Sequence, residues 1–196
     1  MAYNPILSSE IVSGAPIDTA LLTKIKNNQD HFKNNTGSAQ LQFSNNIANG
    51  ASAVNEFGND VFIFDPSLQQ IIKAVVKVPT GYTGGFKPLL NLVMYTADAN
   101  AASTIKFFAK VSLFKSANTS LNNTSFIQIF NSVITNVGVA ERHQQMVIDL
   151  SDATGNVNAE PILVDSLIQI ELYRAPDDTV NVPVSIIPSL SNINFA

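Results

Sequence analysis

The chain has 196 residues, 45% of them hydrophobic and 13% charged, with a net charge of −4 and no cysteine; soluble domains usually carry about 25% charged residues. The 11 basic residues are scattered singly, which argues against nucleic-acid binding, because that needs clustered Lys and Arg to displace counterions from phosphate. Disulfides, thiolate metal sites and thiol nucleophiles are excluded, and no apolar run approaches the ~20 residues that span a bilayer, so neither nucleic acid nor membrane is expected as a partner.

Asparagine takes much of the place of charge, with 22 Asn against 11 Lys and Arg. Segments 43–55, 116–140 and 179–196 hold no charged side chain at all. A monomer normally keeps itself soluble with mixed charge. Interface cores, by contrast, are depleted in charge. The composition therefore predicts a surface covered in part by sister subunits or a larger assembly. The opening MAYNPILSSE lacks the basic and apolar regions of a secretory signal, so assembly in the cytoplasm is expected.

In chain order, residues 1–16 hold Pro5, Gly14 and Pro16 and should run extended. Residues 17–33 read as a short amphipathic helix. Asp18 is placed as N-cap, with Ile17 and Leu22 set to close a hydrophobic staple around it. Leu21, Ile25, Asn28 and Phe32 then follow at coiled-coil spacing. Two heptads do not hold together alone in water, so the helix must pack on something, either a partner or the chain's own β-domain. Asn34 to Ser38 ends it, which divides the chain into an arm and helix at 1–36 and a β-domain at 37–196.

From there alternation dominates. Strands are predicted at 40–47, 61–64, 70–78, 89–96, 104–114, 125–135, 145–150, 166–174 and 180–187. Ile72, Ala74, Val76 and Val78 share one face, as do Leu90, Leu92 and Met94, and Ile105, Phe107, Ala109, Val111 and Leu113. Eight or nine such strands predict an all-β fold, an antiparallel β-sandwich of jelly-roll type. Pro183 inside the last run points to an edge strand or a bulge. Phe108, Phe114, Phe126, Phe130, Leu167 and Tyr173 are read as apolar residues on nominally exposed faces, and so as subunit contacts.

The chemistry of catalysis is thin. The two histidines, His31 and His143, are too few for a usual multi-histidine metal site, and no G-x-S-x-G elbow occurs. Asp177 with Asp178, and Asp149 with Asp152, have the residue type for half of a Ca²⁺ site but read more simply as solvated turn formers. Gly81 to Gly85 lacks the Lys-Ser/Thr and helix of a phosphate loop. No catalytic residue, metal or cofactor is expected.

Three segments carry a resemblance. Val78-Pro79-Thr80-Gly81-Tyr82-Thr83-Gly84-Gly85, followed by Leu89-Leu90-Asn91-Leu92-Val93-Met94-Tyr95, resembles a turn and strand common in phage virion jelly rolls. The run from Asp165 to Asp178 looks like the penultimate strand of the same module. Ile11 to Asp18 with Leu21, Leu22 and Ile25 to Asn28 is similar to the leader and helix that precede a displayed domain in phage structural proteins. Together they cover about a quarter of the chain, and the Trp common in such cores is absent.

The resemblance implies a tailed-phage virion component, often trimeric. The expectation is a capsid cement or decoration protein that docks on the major capsid protein through Ile11, Ile17, Leu21, Leu22, Ile25 and Phe32. A homotrimer would form through Phe108, Phe114, Phe126, Phe130 and Tyr173. The alternative is a fibre or tail module that recognises host-surface glycan, with Tyr82, Tyr95 and Tyr173 as its aromatic platform.

Overall fold

A computed structural model describes residues 38–45, 49–82, 87–115 and 126–195. The expected arm and helix, with Asp18 and His31, lie outside the described residues, as do Gly84 and Gly85. The rest is β-structure. In chain order the strands are β1 (Ser38–Gln40), β2 (Ser52–Glu56), β3 (Asn59–Phe64), β4 (Ile71–Lys77), β5 (Leu89–Thr96), β6 (Thr104–Phe114) and β7 (Ile127–Thr135). They continue with β8 (Gln144–Asp149), β9 (Asn156–Val157), β10 (Glu160–Pro161), β11 (Leu167–Arg174), β12 (Val184–Ile186) and β13 (Asn192–Asn194).

Two antiparallel sheets form the sandwich. The smaller runs β4-β11-β6-β7. The larger is centred on β5, which pairs with β8 along one edge and with β12 and then β13 along the other. Beyond β12 lie β3 and β2, and beyond β13 lies β1. From β3 onward the chain crosses between the sheets at most connections, giving β3-β12-β5-β8 facing β4-β11-β6-β7. That order of two interleaved Greek keys is the jelly roll, as the strand pattern predicts.

The alternation forces this arrangement. In a strand successive side chains point to opposite faces. Ile72, Ala74, Val76, Leu90, Leu92, Met94 and the five predicted residues of β6 are all buried, and together with Ile168, Ile170 and Leu172 of β11 they fill the space between the sheets. Phe64 of β3 meets Phe107 of β6 edge to face at 5.1 Å, joining the two layers, and neither ring is exposed to solvent. Full burial of one such ring is worth about 1.5–3 kcal/mol.

Several boundaries differ from the sequence reading. The strand expected at 40–47 ends at Gln40, and Ser44 makes a single bridge to Lys73 instead. The hairpin β2–β3 adds a strand over 52–56 that alternation did not reveal. In the final run only Val184–Ile186 is strand. Pro183 precedes it, and β12 is central, between β3 and β5, so the edge-strand expectation is corrected. A 3-10 turn at Pro188–Leu190 separates β12 from β13. Ser191 bridges the gap: its hydroxyl accepts from the Val93 amide at 3.1 Å and donates to the Ile187 carbonyl at 2.8 Å.

The loop from Arg174 to Val184 is locked by a buried guanidinium. Arg174 Nε and Nη2 donate to Asp178 Oδ2 and Oδ1 at 2.5 and 2.8 Å, and Nη1 donates to the carbonyls of Val182 at 2.8 Å and Phe64 at 3.3 Å. Nη2 also donates to the Val180 carbonyl. Removing one partner of a buried pair leaves an uncompensated charge and costs about 3–5 kcal/mol. Asp178→Ala is therefore expected to lower the unfolding free energy by about that amount, measured by urea titration; a loss within the scatter of surface substitutions would contradict the role given to the pair.

Candidate functional site

The outward face of the small sheet is where the fold leaves apolar side chains uncovered. Reading across β4, β11, β6 and β7, one row is Val75, Gln169, Ser112 and Ile127, and the next is Lys73, Glu171, Lys110 and Ile129. A third is Ile71, Tyr173, Phe108 and Asn131, and Val133 stands opposite Lys106. Val75, Ile129 and Val133 are each more than half exposed. Phe108 and Tyr173 stack at 5.4 Å, and Lys106 Nζ stands 5.1 Å from the Phe108 ring centre.

Every lysine on this face is paired with a carboxylate. Glu171 lies between two ammonium groups, with Lys73 Nζ at 2.7 Å and Lys110 Nζ at 3.1 Å. Burial alone would raise its pKa, but hydrogen bonds and charge from the two lysines outweigh it and hold the carboxyl below its ordinary value. Lys106 pairs with Asp177 at 2.8 Å.

The edge of this sheet is β7, whose nine residues contain neither charge nor proline. Natural edge strands are usually guarded by Lys, Pro or a bulge, because an open row of N–H and C=O groups templates pairing with another chain. The opposite edge, β4, carries Lys73 and Lys77 and is bridged by Ser44 and Gly50.

Of the expected subunit contacts, Phe108, Phe114 and Tyr173 lie on the outward face, each half-buried. Phe126 and Phe130 do not: both pack against the core, Phe130 opposite buried Ala109, so their placement on an exposed face is corrected. In β7 the outward positions are instead Ile127, Ile129, Asn131 and Val133. Ile11, Ile17, Leu21, Leu22, Ile25 and Phe32 lie outside the described residues.

The acidic pairs are engaged within the fold. Asp178 forks onto Arg174, Asp149 pairs with Lys87 at 2.9 Å, and Asp152 accepts from Thr154 and Asn156 in its own turn. The tyrosine platform also changes. Tyr82 is 6% exposed and packs edge-on against Phe195 at 6.0 Å. Tyr95 is equally buried, leaving Tyr173 as the one of the three with partial exposure.

A groove of about 370 Å³ opens on the other sheet beside Tyr95, lined by Glu56, Phe57, Ile63, Glu141, Pro183 and Ser185 among others. The Tyr95 hydroxyl donates to Glu56 Oε2, and the Ser185 hydroxyl reaches the same oxygen at 3.5 Å. Burial, the Glu56 hydrogen bond and the charges of Glu56 and Glu141 push the Tyr95 pKa up to about 12. Phe57 sits at the tip of the β2–β3 hairpin with φ +51, followed by Gly58 at φ +79. That two-residue turn favours Asn-Gly or Asp-Gly, yet it displays a phenylalanine that is 73% exposed and edge-on to Tyr95 at 5.9 Å. Sequence reasoning missed this groove. The signal available was Phe57-Gly58 where a turn would ordinarily carry Asn-Gly.

No family model and no curated protein matches the chain. Among solved structures, one described as "CBM4 structure and function" is similar over 77% of this chain and 100% of that chain, at 12% identity and a TM-score of 0.26. A likeness at that TM-score carries no argument about binding, and the jelly roll is read from the strand order itself.

Two outcomes are expected from these geometries. Because the Glu171 carboxyl is held below its ordinary pKa of 4.5 when folded, its contribution to stability is present at neutral pH and is lost as pH falls below that value. Glu171→Gln should lower stability at pH 7 and flatten the acid limb, as read from urea midpoints across pH; an unchanged limb would remove the lysine pairs from the account. For Phe57, the left-handed backbone costs about 1–2 kcal/mol and the Tyr95 contact returns about 0.5–1.5 kcal/mol. Phe57→Asn is therefore expected to stay within about 1 kcal/mol of the parent in thermal and urea unfolding.

Proposed function

We propose that this protein is a structural component of a phage virion, a capsid cement or decoration protein that assembles as a trimer on the major capsid protein. The observation that carries the reading is the edge strand β7, which holds no charge and no proline, together with its own exposed Ile129 and Val133. Such a surface is an aggregation hazard on a free monomer and suits one that is covered by sister subunits. The charge-poor composition and the leader and helix expected at 1–36 support the same reading.

In this reading the segment to Phe32 lies along capsid subunits, and the jelly roll stands above them as a three-fold knob. Phe108, Tyr173 and the outward residues of β7 meet their counterparts. The mechanism is mass action: a protein that binds the assembled shell and not its dissociated subunits stabilises the shell. Three anchors on one knob turn weak single contacts into durable attachment. The fibre-tip reading is weaker, because Tyr82 and Tyr95, two of the three platform rings, are buried in the core or under a hydrogen bond.

The test is copy number in purified particles, by quantitative mass spectrometry against the major capsid protein. Copies comparable in number to capsid subunits are expected. A handful per particle would move the protein to the tail or fibres, and none would overturn the virion reading. In solution, light scattering should report a trimer that Ile129→Glu with Val133→Glu dissociates; a parent monomer would overturn the proposed interface.

A further inference from the structure

We infer that the groove beside Tyr95 receives a guanidinium group, the side chain of an arginine carried by a partner protein. This does not depend on the virion reading, since the groove lies on the large sheet, away from β7. The argument begins with charge. Two carboxylates, Glu56 and Glu141, line the groove, and no Lys or Arg is among its lining residues. Glu141 is held there by its backbone: at φ +59 its amide donates to the Thr96 carbonyl at 2.8 Å. Glu56 is held by the Tyr95 hydroxyl on Oε2, and no described residue donates to its other oxygen.

The second element is aromatic. Phe57 presents an exposed ring at the rim, and the fold gains little from it, because a turn of this kind is better served by asparagine. A cation over such a ring is attracted by its quadrupole. Ile63, Pro183 and Ala97 give the same groove an apolar share of its lining. A guanidinium suits this combination better than an ammonium. It is planar and stacks on aromatic faces, it is weakly hydrated and so tolerates an apolar wall, and it forks onto carboxylate.

The test uses the full chain, labelled with ¹⁵N, and three small probes: the Nα-acetyl amides of arginine, of its neutral isostere citrulline, and of lysine. Amide shifts on adding the arginine probe are expected at Glu56, Phe57, Gly58, Ala97 and Glu141. The citrulline probe should leave them unmoved, and the lysine probe should bind more weakly. Phe57→Ala and Glu141→Gln, both at exposed positions, should each weaken arginine binding about three- to fivefold with amides elsewhere unchanged. Absence of shifts, equal shifts with citrulline, binding of lysine as tight as arginine, or affinity unaltered in both variants would each overturn the inference. So would shifts of the same amides by a neutral disaccharide where the arginine probe gives none.

Discussion

The Arg174 guanidinium is the constraint on which the sandwich turns. It sits at the end of β11, is almost wholly buried, and spends its donors on Asp178 and on the carbonyls of Phe64, Val180 and Val182. One of those carbonyls belongs to β3 in the opposite sheet; the other two belong to the loop that must carry the chain across to β12. A planar, permanently charged fork can hold the end of β11, the end of β3 and the loop between β11 and β12 in one geometry. Without it, the loop's carbonyls would be buried without partners, and the entry of Val184 between β3 and β5 would lose its guide.

The two outward faces built on this frame differ in kind. On the small sheet, apolar rows flank the paired charges of Lys73, Glu171 and Lys110, so the face has few charges and much uncovered carbon. On the large sheet, the Tyr95 groove concentrates two carboxylates with an aromatic rim. The first face is suited to contact between like surfaces, where buried net charge would repel. The second is suited to a ligand of opposite sign. One fold thus presents both a broad apolar surface and a narrow charged one, on opposite sides.

Much of this fold is legible in the sequence, and the reasons for the rest are physical. In β4, β5, β6 and β11 every second residue is apolar over a long run, while Lys, Asn, Gln, Glu or Ser interrupts the other face, so the buried set follows from period two. In β7 both faces carry large apolar residues, and ring size misleads: Phe130 looks like a surface anchor, but pairing opposite Ala109 turns it to the core. Register with β6 decides this, and register is not local information. The β2–β3 hairpin is hidden because Phe57-Gly58 lacks the usual turn residues. The groove is hidden because Glu56 and Glu141 meet Tyr95 only once distant strands have paired.

The way β5 is flanked bears on how the chain is made. Its partners on one side, β12 and β13, arrive about 90 residues later in sequence, and β3 and β1 likewise wait for them. In chain order, the small sheet can complete itself once β11 is available, but the large sheet stays open until residues 184–194 can pair. Pairing over such separations is slow, and exposed strand edges in the interval invite association with other nascent chains. The large sheet therefore closes after the small one, and its open edges are what neighbouring chains can meet until β12 and β13 arrive.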